Sequence, residues 1–118
     1  MAKMHKAGIK VLPFGDYGFA WIPMGTDSRD FEHFVNLMGF EPWEVLRAAT
    51  AYGGEAFMGD KMGEIKEGFL SDIIIIDGDP LADITLFQDR NNILAIMKDG
   101  QFHKTFQGRV AQEQRQAA

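Results

Sequence analysis

Ser71-Asp72-Ile73-Ile74-Ile75-Ile76-Asp77-Gly78-Asp79-Pro80 is the stretch on which the reading of the chain turns. Four consecutive isoleucines are short, apolar and β-branched. Such a run predicts a strand buried on both faces rather than a helix. Gly78-Asp79-Pro80 ends it, because Gly and Pro both break a ladder. Working outward, Leu81 to Phe87 reads as a short connection of about one helical turn. Ile93 to Lys98, then Asp99-Gly100, then Gln101 to Phe106 reads as a hairpin, since Asp-Gly favours the two-residue turn that matches strand twist. On the other side, Gly63-Glu64-Ile65-Lys66-Glu67-Gly68 reads as a short strand and a turn. From Gln107 the chain is polar and reads as a frayed tail over 107–118.

The first half has a different texture. Ile9-Lys10-Val11-Leu12 is a β-prone run closed by Pro13 and Gly15, with Asp16 where the strand would end. Tyr17 to Gly25 carries Gly18, Pro23 and Gly25 and reads as a loop. Ser28 to Met38 places Phe31, Phe34, Val35 and Met38 at helical spacing, so one face is apolar. Thr26, Asp27 and Ser28 are candidate N-caps, Asp30 suits the first turn, and Gly39 suits the residue past the end. A second helix begins at Pro42, with Val45, Leu46, Ala49 and Tyr52 on one face. Gly53-Gly54 is expected to end it, with Ala56-Phe57-Met58 adding one more turn. The chain is thus α+β: strand, loop and two helices, then a small set of strands, with the boundary near Gly59 to Gly63.

Composition narrows the function. The chain has 118 residues, of which 46% are hydrophobic and 25% charged. That suits one globular domain and falls far short of the about 250 residues of a complete eight-stranded α/β barrel. The net charge of −5 argues against nucleic acid and anionic membrane as partners, since both reward a basic surface. There is no cysteine, so neither a disulfide framework nor a thiolate metal site exists. Met1 to Lys10 lacks a signal-peptide core, and Ile73 to Ile76 is too short to span a bilayer. Cytoplasmic residence is the expectation.

Several segments together resemble the closing part of amidohydrolase-superfamily enzymes, on the side of the imidazolonepropionase-like and prolidase-like hydrolases. They are Pro42-Trp43-Glu44-Val45-Leu46-Arg47-Ala48-Ala49-Thr50, Met62 to Gly68, Ser71 to Pro80, and Ile96-Met97-Lys98-Asp99-Gly100. Each is weak alone; their order and spacing are specific. The resemblance covers roughly Lys3 to Lys104. It implies that 1–60 is the last strand and C-terminal helices of an α/β barrel. Residues 61–106 would then be a small β-rich part of a sandwich.

In that family the eighth barrel strand ends in an aspartate that binds metal and shuttles the proton of the attacking water. Val11-Leu12-Pro13-Phe14-Gly15-Asp16 is similar to that position, so the resemblance gives Asp16 both the catalytic and the metal-binding role. Read from its neighbours alone, Asp16 is equally an aspartate in a Gly-Asp-Tyr-Gly turn. The family takes its other ligands from earlier strands, and this chain carries no equivalent. His5, His33 and His103 show no ligand spacing, with His33 expected on the surface of the first helix. The isolated chain is therefore expected to hold no cofactor, whereas the intact family uses zinc or another divalent metal. A small-molecule substrate is expected only if another chain completes the barrel.

The remaining features have ordinary readings. Phe14, Phe19, Trp21 and Ile22 are aromatic and aliphatic loop residues, read as anchors packed on a core in preference to a substrate pocket. Trp43 reads as packing. Asp77, Asp79 and Asp83 lack the pattern of a calcium loop and read as turn and cap residues. Starting at Met1 with no upstream barrel, the chain is expected to be inactive alone. The alternative is a truncated, non-catalytic binding module. A homodimer is expected, because Ile9 to Leu12 and the isoleucine strand lack the neighbours a barrel and sandwich would supply, and because the chain is expected to offer nothing large enough to cover the Phe31–Met38 face.

Overall fold

The computed structural model describes residues 1–58 and 61–105. Gly59, Phe106 and the tail 107–118 lie outside the described residues. The helices are α1 (Ala2–Lys6), α2 (Arg29–Asn36), α3 (Pro42–Arg47) and α4 (Gly53–Met58), with one π-helical turn (Ala48–Tyr52) joining α3 to α4. Three strands follow: β1 (Ile73–Ile76), β2 (Ile93–Lys98) and β3 (Gln101–Lys104). A 3₁₀ turn (Ile84–Gln88) lies between β1 and β2. The α+β class holds.

The apolar stripe of α2 organises the first half. Phe31 and Phe34 are buried, and with Val11, Phe40, Val45 and Ile84 they form the core cluster. Phe34 meets Phe40 at 5.0 Å between ring centroids, and Phe31 meets Phe87 edge-on at 5.1 Å. The stripe is therefore covered within this chain. Its cover comes from Phe40, Val45 and the 3₁₀ turn, which were not anticipated as one surface. Val45 is fully buried, and its loss to alanine would leave a cavity among aromatic rings.

Gly53-Gly54 does not end the second helix. The helix widens into the π turn at Ala48 and then continues through both glycines. The reason lies in the loop that follows. A Cβ on Gly54 would strike the Met62 carbonyl, and one on Gly63 would strike the Thr50 carbonyl. Backbone lies directly on backbone at both crossings, which only glycine permits. Thr50 also turns its hydroxyl back to the Leu46 carbonyl at 2.8 Å, the kind of bond that bends helices. Gly63 to Gly68 forms turns rather than the expected strand; its backbone pairs with no ladder among the described residues.

The sheet is antiparallel in the order β1-β2-β3. The Asp99-Gly100 turn has positive φ at both residues (48° and 75°), as the two-residue hairpin requires. Asp72 ties the hairpin down: its carboxylate accepts from Asp99 N at 2.7 Å and from Lys98 Nζ at 3.1 Å. Those hydrogen bonds hold the Asp72 carboxyl below the usual range. The four isoleucines do form β1, but they are not buried on both faces. Ile74 is 52% exposed and Ile75 39%, because no second layer covers them among the described residues. The expected strand Ile9–Leu12 likewise has no ladder partner, and a strand without a neighbour cannot pair its backbone.

Gly63→Ala should lower stability by about 2 kcal/mol, the scale of overpacking combined with left-handed strain. On a chain this size that corresponds to a loss of roughly 10 °C in Tm. Gly68→Ala is the control: its φ of 82° is close to the 90° of Gly63, but open space surrounds it. Thermal unfolding followed by circular dichroism should show the smaller loss at Gly68; equal losses would mean the Thr50 contact is unimportant.

Candidate functional site

Val11 and Pro13 are buried, and Phe14 turns its ring toward Phe31 at 5.3 Å. These contacts fix the segment that leads to Asp16. Phe14 has φ 75°, in the left-handed region that costs a bulky residue on the order of 1–3 kcal/mol. Asp30, in the first turn of α2, answers that strain. Its Oδ2 accepts from Phe14 N at 2.9 Å, and its Oδ1 accepts from the Tyr17 hydroxyl at 2.6 Å. Asp16 lies between the two anchored residues. Burial, then the hydrogen bond and negative charge of Asp30, push the Tyr17 phenol up to about 12.

Asp16 is exposed, and among the described residues no hydrogen bond or ion pair engages it. It borders an open cleft of about 430 Å³, shared with Trp21, Ile22, Arg29 and His33. Arg29 and His33 are four residues apart and so lie on one side of α2. Thus His33 is on the helix surface as expected, but that surface is the wall of the cleft. The histidine spacing in sequence gave no sign of it.

Of the loop aromatics, Phe14 packs on the core residue Phe31, but Phe19 and Trp21 are not core anchors. Phe19 and Trp21 stack on each other at 5.7 Å across a tight turn closed by Gly18 N to the Ile22 carbonyl at 2.8 Å. Trp21 is 79% exposed and lines the cleft. Trp43 is likewise half exposed. His5 is elsewhere, stacked on Phe40 at 3.7 Å with Nε2 3.2 Å from Glu44. His103 is exposed on β3. Asp79 and Asp83 do serve turns, accepting from Leu81 N and Thr85 N at 2.9 Å each.

A transition-metal site needs three or four protein donors at bonding distance. Among the described residues no group of three or more His, Cys, Asp or Glu could hold an ion. Asp16 and His33 share a wall of the cleft, but a carboxylate and an imidazole do not complete such a set. The donors among the described residues do not by themselves fit the metal that the resemblance implies.

With the geometry in place, comparison with known proteins is informative. A model of the amidohydrolase family matches residues 1–102. The chain belongs to that family. Ochratoxinase from Aspergillus niger is 29% identical over 104 residues, which is 84% of this chain and 20% of that enzyme. Its crystal structure superposes with a TM-score of 0.79 at 26% identity, covering 88% of this chain and 24% of that one. The structure of a Xaa-Pro dipeptidase with bound methionine gives a TM-score of 0.73 at 28% identity, covering 87% of this chain and 24% of that one. A 5'-deoxyadenosine deaminase from Methanopyrus kandleri is 41% identical over 49 residues, 39% of this chain and 11% of that protein. This amidohydrolase-family chain spans about a fifth of the length of the ochratoxinase it matches. No helix among the described residues is long and apolar enough to cross a membrane.

Sequence reasoning missed Asp30. An acidic residue in a first turn reads equally well as a partner of the helix dipole, so nothing in the pattern marks it as the anchor of a distant turn. Asp16→Ala is expected to leave the fold intact, because the side chain is exposed and removes no packed volume. Its far-ultraviolet circular dichroism and Tm should match those of the wild type. A loss of several degrees would mean that Asp16 holds the turn itself, at a cost near 1 kcal/mol for a lost cap-type hydrogen bond.

Proposed function

We propose that this chain is the C-terminal portion of a metal-dependent amidohydrolase that hydrolyses amide or other carbon–nitrogen bonds in small molecules. Residues 1–60 correspond to the last strand and C-terminal helices of the barrel, and 61–106 to its β-rich appendage. The observation that carries this reading is Asp16: an exposed, unpaired carboxylate on an anchored turn, beside an open cleft, in a chain of the amidohydrolase family. A carboxylate at the C-terminal end of a barrel strand faces the active-site mouth. There Asp16 is one ligand to zinc or another divalent ion, and the group that takes up a proton from the attacking water. The other ligands come from polypeptide outside this chain, so the chain alone is not catalytically competent. The cysteine-free sequence fits a reducing compartment, and we place the protein in the cytoplasm.

Grafting residues 1–105 in place of the matching segment of the Aspergillus niger ochratoxinase tests this. The chimera should retain its metal and hydrolyse substrate, and Asp16→Asn within it should abolish most turnover. Equal activity and metal content with and without the carboxylate would remove Asp16 from the site.

A second reading is favoured by the Ile9–Leu12 segment, which joins no ladder among the described residues, and by the exposed Ile74, Ile75 and Phe102. In it the chain is a non-catalytic module that self-associates, most simply as a dimer exchanging or adding strands. Because α2 is covered within the chain, the strand and sheet surfaces alone would drive the contact. Sedimentation equilibrium at micromolar concentration should then show a dimer; a single species at the 13.2 kDa monomer mass would end this reading.

A further inference from the structure

We infer that Asp30 is the positioning residue of the candidate site: one carboxylate, bonded to Phe14 N and to the Tyr17 hydroxyl, holds the turn that aims Asp16 into the cleft. The inference rests on Asp16 being a site residue, and it adds what keeps that residue in place.

Three observations converge. Phe14 is one of only two non-glycine residues with positive φ among the described residues, and the other, Asp99, belongs to a two-residue hairpin turn whose geometry demands it. Nothing in the local sequence demands it at Phe14, where glycine follows at the next position rather than occupying the strained one. A left-handed phenylalanine persists only where its surroundings over-determine it. Here they do so from one helix: Phe31 meets its ring and Asp30 accepts its N–H, from adjacent residues of α2.

The second observation is that Asp30 uses both carboxylate oxygens, one on each side of Asp16. A single bond would leave the turn free to swing about it. Two bonds three residues apart fix both its ends, so Gly15 and Asp16 between them have little freedom. Charge-assisted bonds of this kind are the stronger class.

The third is that Asp16 makes no bond of its own among the described residues. Its placement therefore depends on its neighbours. Arg29, beside Asp30 on α2, lines the cleft but makes no bond to Asp16, so no cation among the described residues substitutes for the clamp.

The test uses the intact chain, labelled with nitrogen-15. In the wild type, the Phe14 amide should exchange at least tenfold more slowly than the Gly15 amide, and the amides of 14–17 should be as ordered as those of α2. Asp30→Ala should abolish the Phe14 protection and loosen 14–17, while the Val45 and Ala48 amides keep their protection. Asp30→Asn, which keeps the shape and an acceptor for Phe14 N, should restore most of the order. General loss of stability would loosen the core amides as well, and asparagine rescue would not be confined to the turn. If Asp30→Ala unfolds the chain, Tyr17→Phe decides: it removes one end of the clamp and should loosen 15–17 alone. Order at 14–17 unchanged by Asp30→Ala, or at 15–17 by Tyr17→Phe, overturns the clamp. These readouts do not involve metal or turnover, so they are separable from the chimera test of Asp16 itself.

Discussion

The packing of α2 against Val11 on one side and Ile84 and Phe87 on the other is the constraint from which the rest of the arrangement follows. Phe31 and Phe34 are the two largest side chains in the buried cluster along with Phe40. They touch the segment before Asp16, the start of α3 and the 3₁₀ turn between β1 and β2. At about 25 cal/mol per Å² of apolar surface buried, aromatic side chains dominate such a cluster. One short helix therefore joins the candidate site to the β-rich half. The same helix bears Asp30 on the side that meets the loop and Arg29 and His33 on the wall of the cleft.

What the sequence revealed, and what it concealed, divides along lines of sequence separation. The hairpin at Asp99-Gly100, the helix expected within Ser28 to Met38 and found over Arg29–Asn36, and the Pro42 start were all readable, because each is specified by residues within one or two turns of one another. The continuation of the helix through Gly53-Gly54 was not. Glycine pairs normally end helices, but at Gly54 the Met62 carbonyl and Gly63 N leave no room for a Cβ, a constraint set by the loop that follows. The exposure of Ile74 and Ile75 was also hidden. An isoleucine run states that a strand wants cover, not whether the cover belongs to the same chain. In the site, Asp16 was found only through family resemblance, since its own neighbours suit an ordinary turn. Trp21 and His33 could not be placed beside it, because loop path and helix azimuth are set by tertiary packing.

Two halves of the molecule differ in how complete they are. The helical half has its core covered, partly by its own residues and partly by Ile84 and Phe87 of the 3₁₀ turn. The β-rich half exposes Ile74 and Ile75, which no second layer covers among the described residues. On the proposed reading, Asp16 would be one donor of a site assembled from the ends of several strands, each of which brings a single group.

The clamp on Asp16 also bears on the order of events during folding. Its two hydrogen bonds span 16 and 13 residues of chain, whereas the ion pair of Lys10 with Glu55 spans 45. Closing a short loop costs less entropy than closing a long one, so local contacts tend to form first. The stretch from Phe14 to Asp30 is thus built to reach its final shape with α2 alone as a template. The Asp16 carboxylate would be in position early, ahead of the contacts that span longer separations.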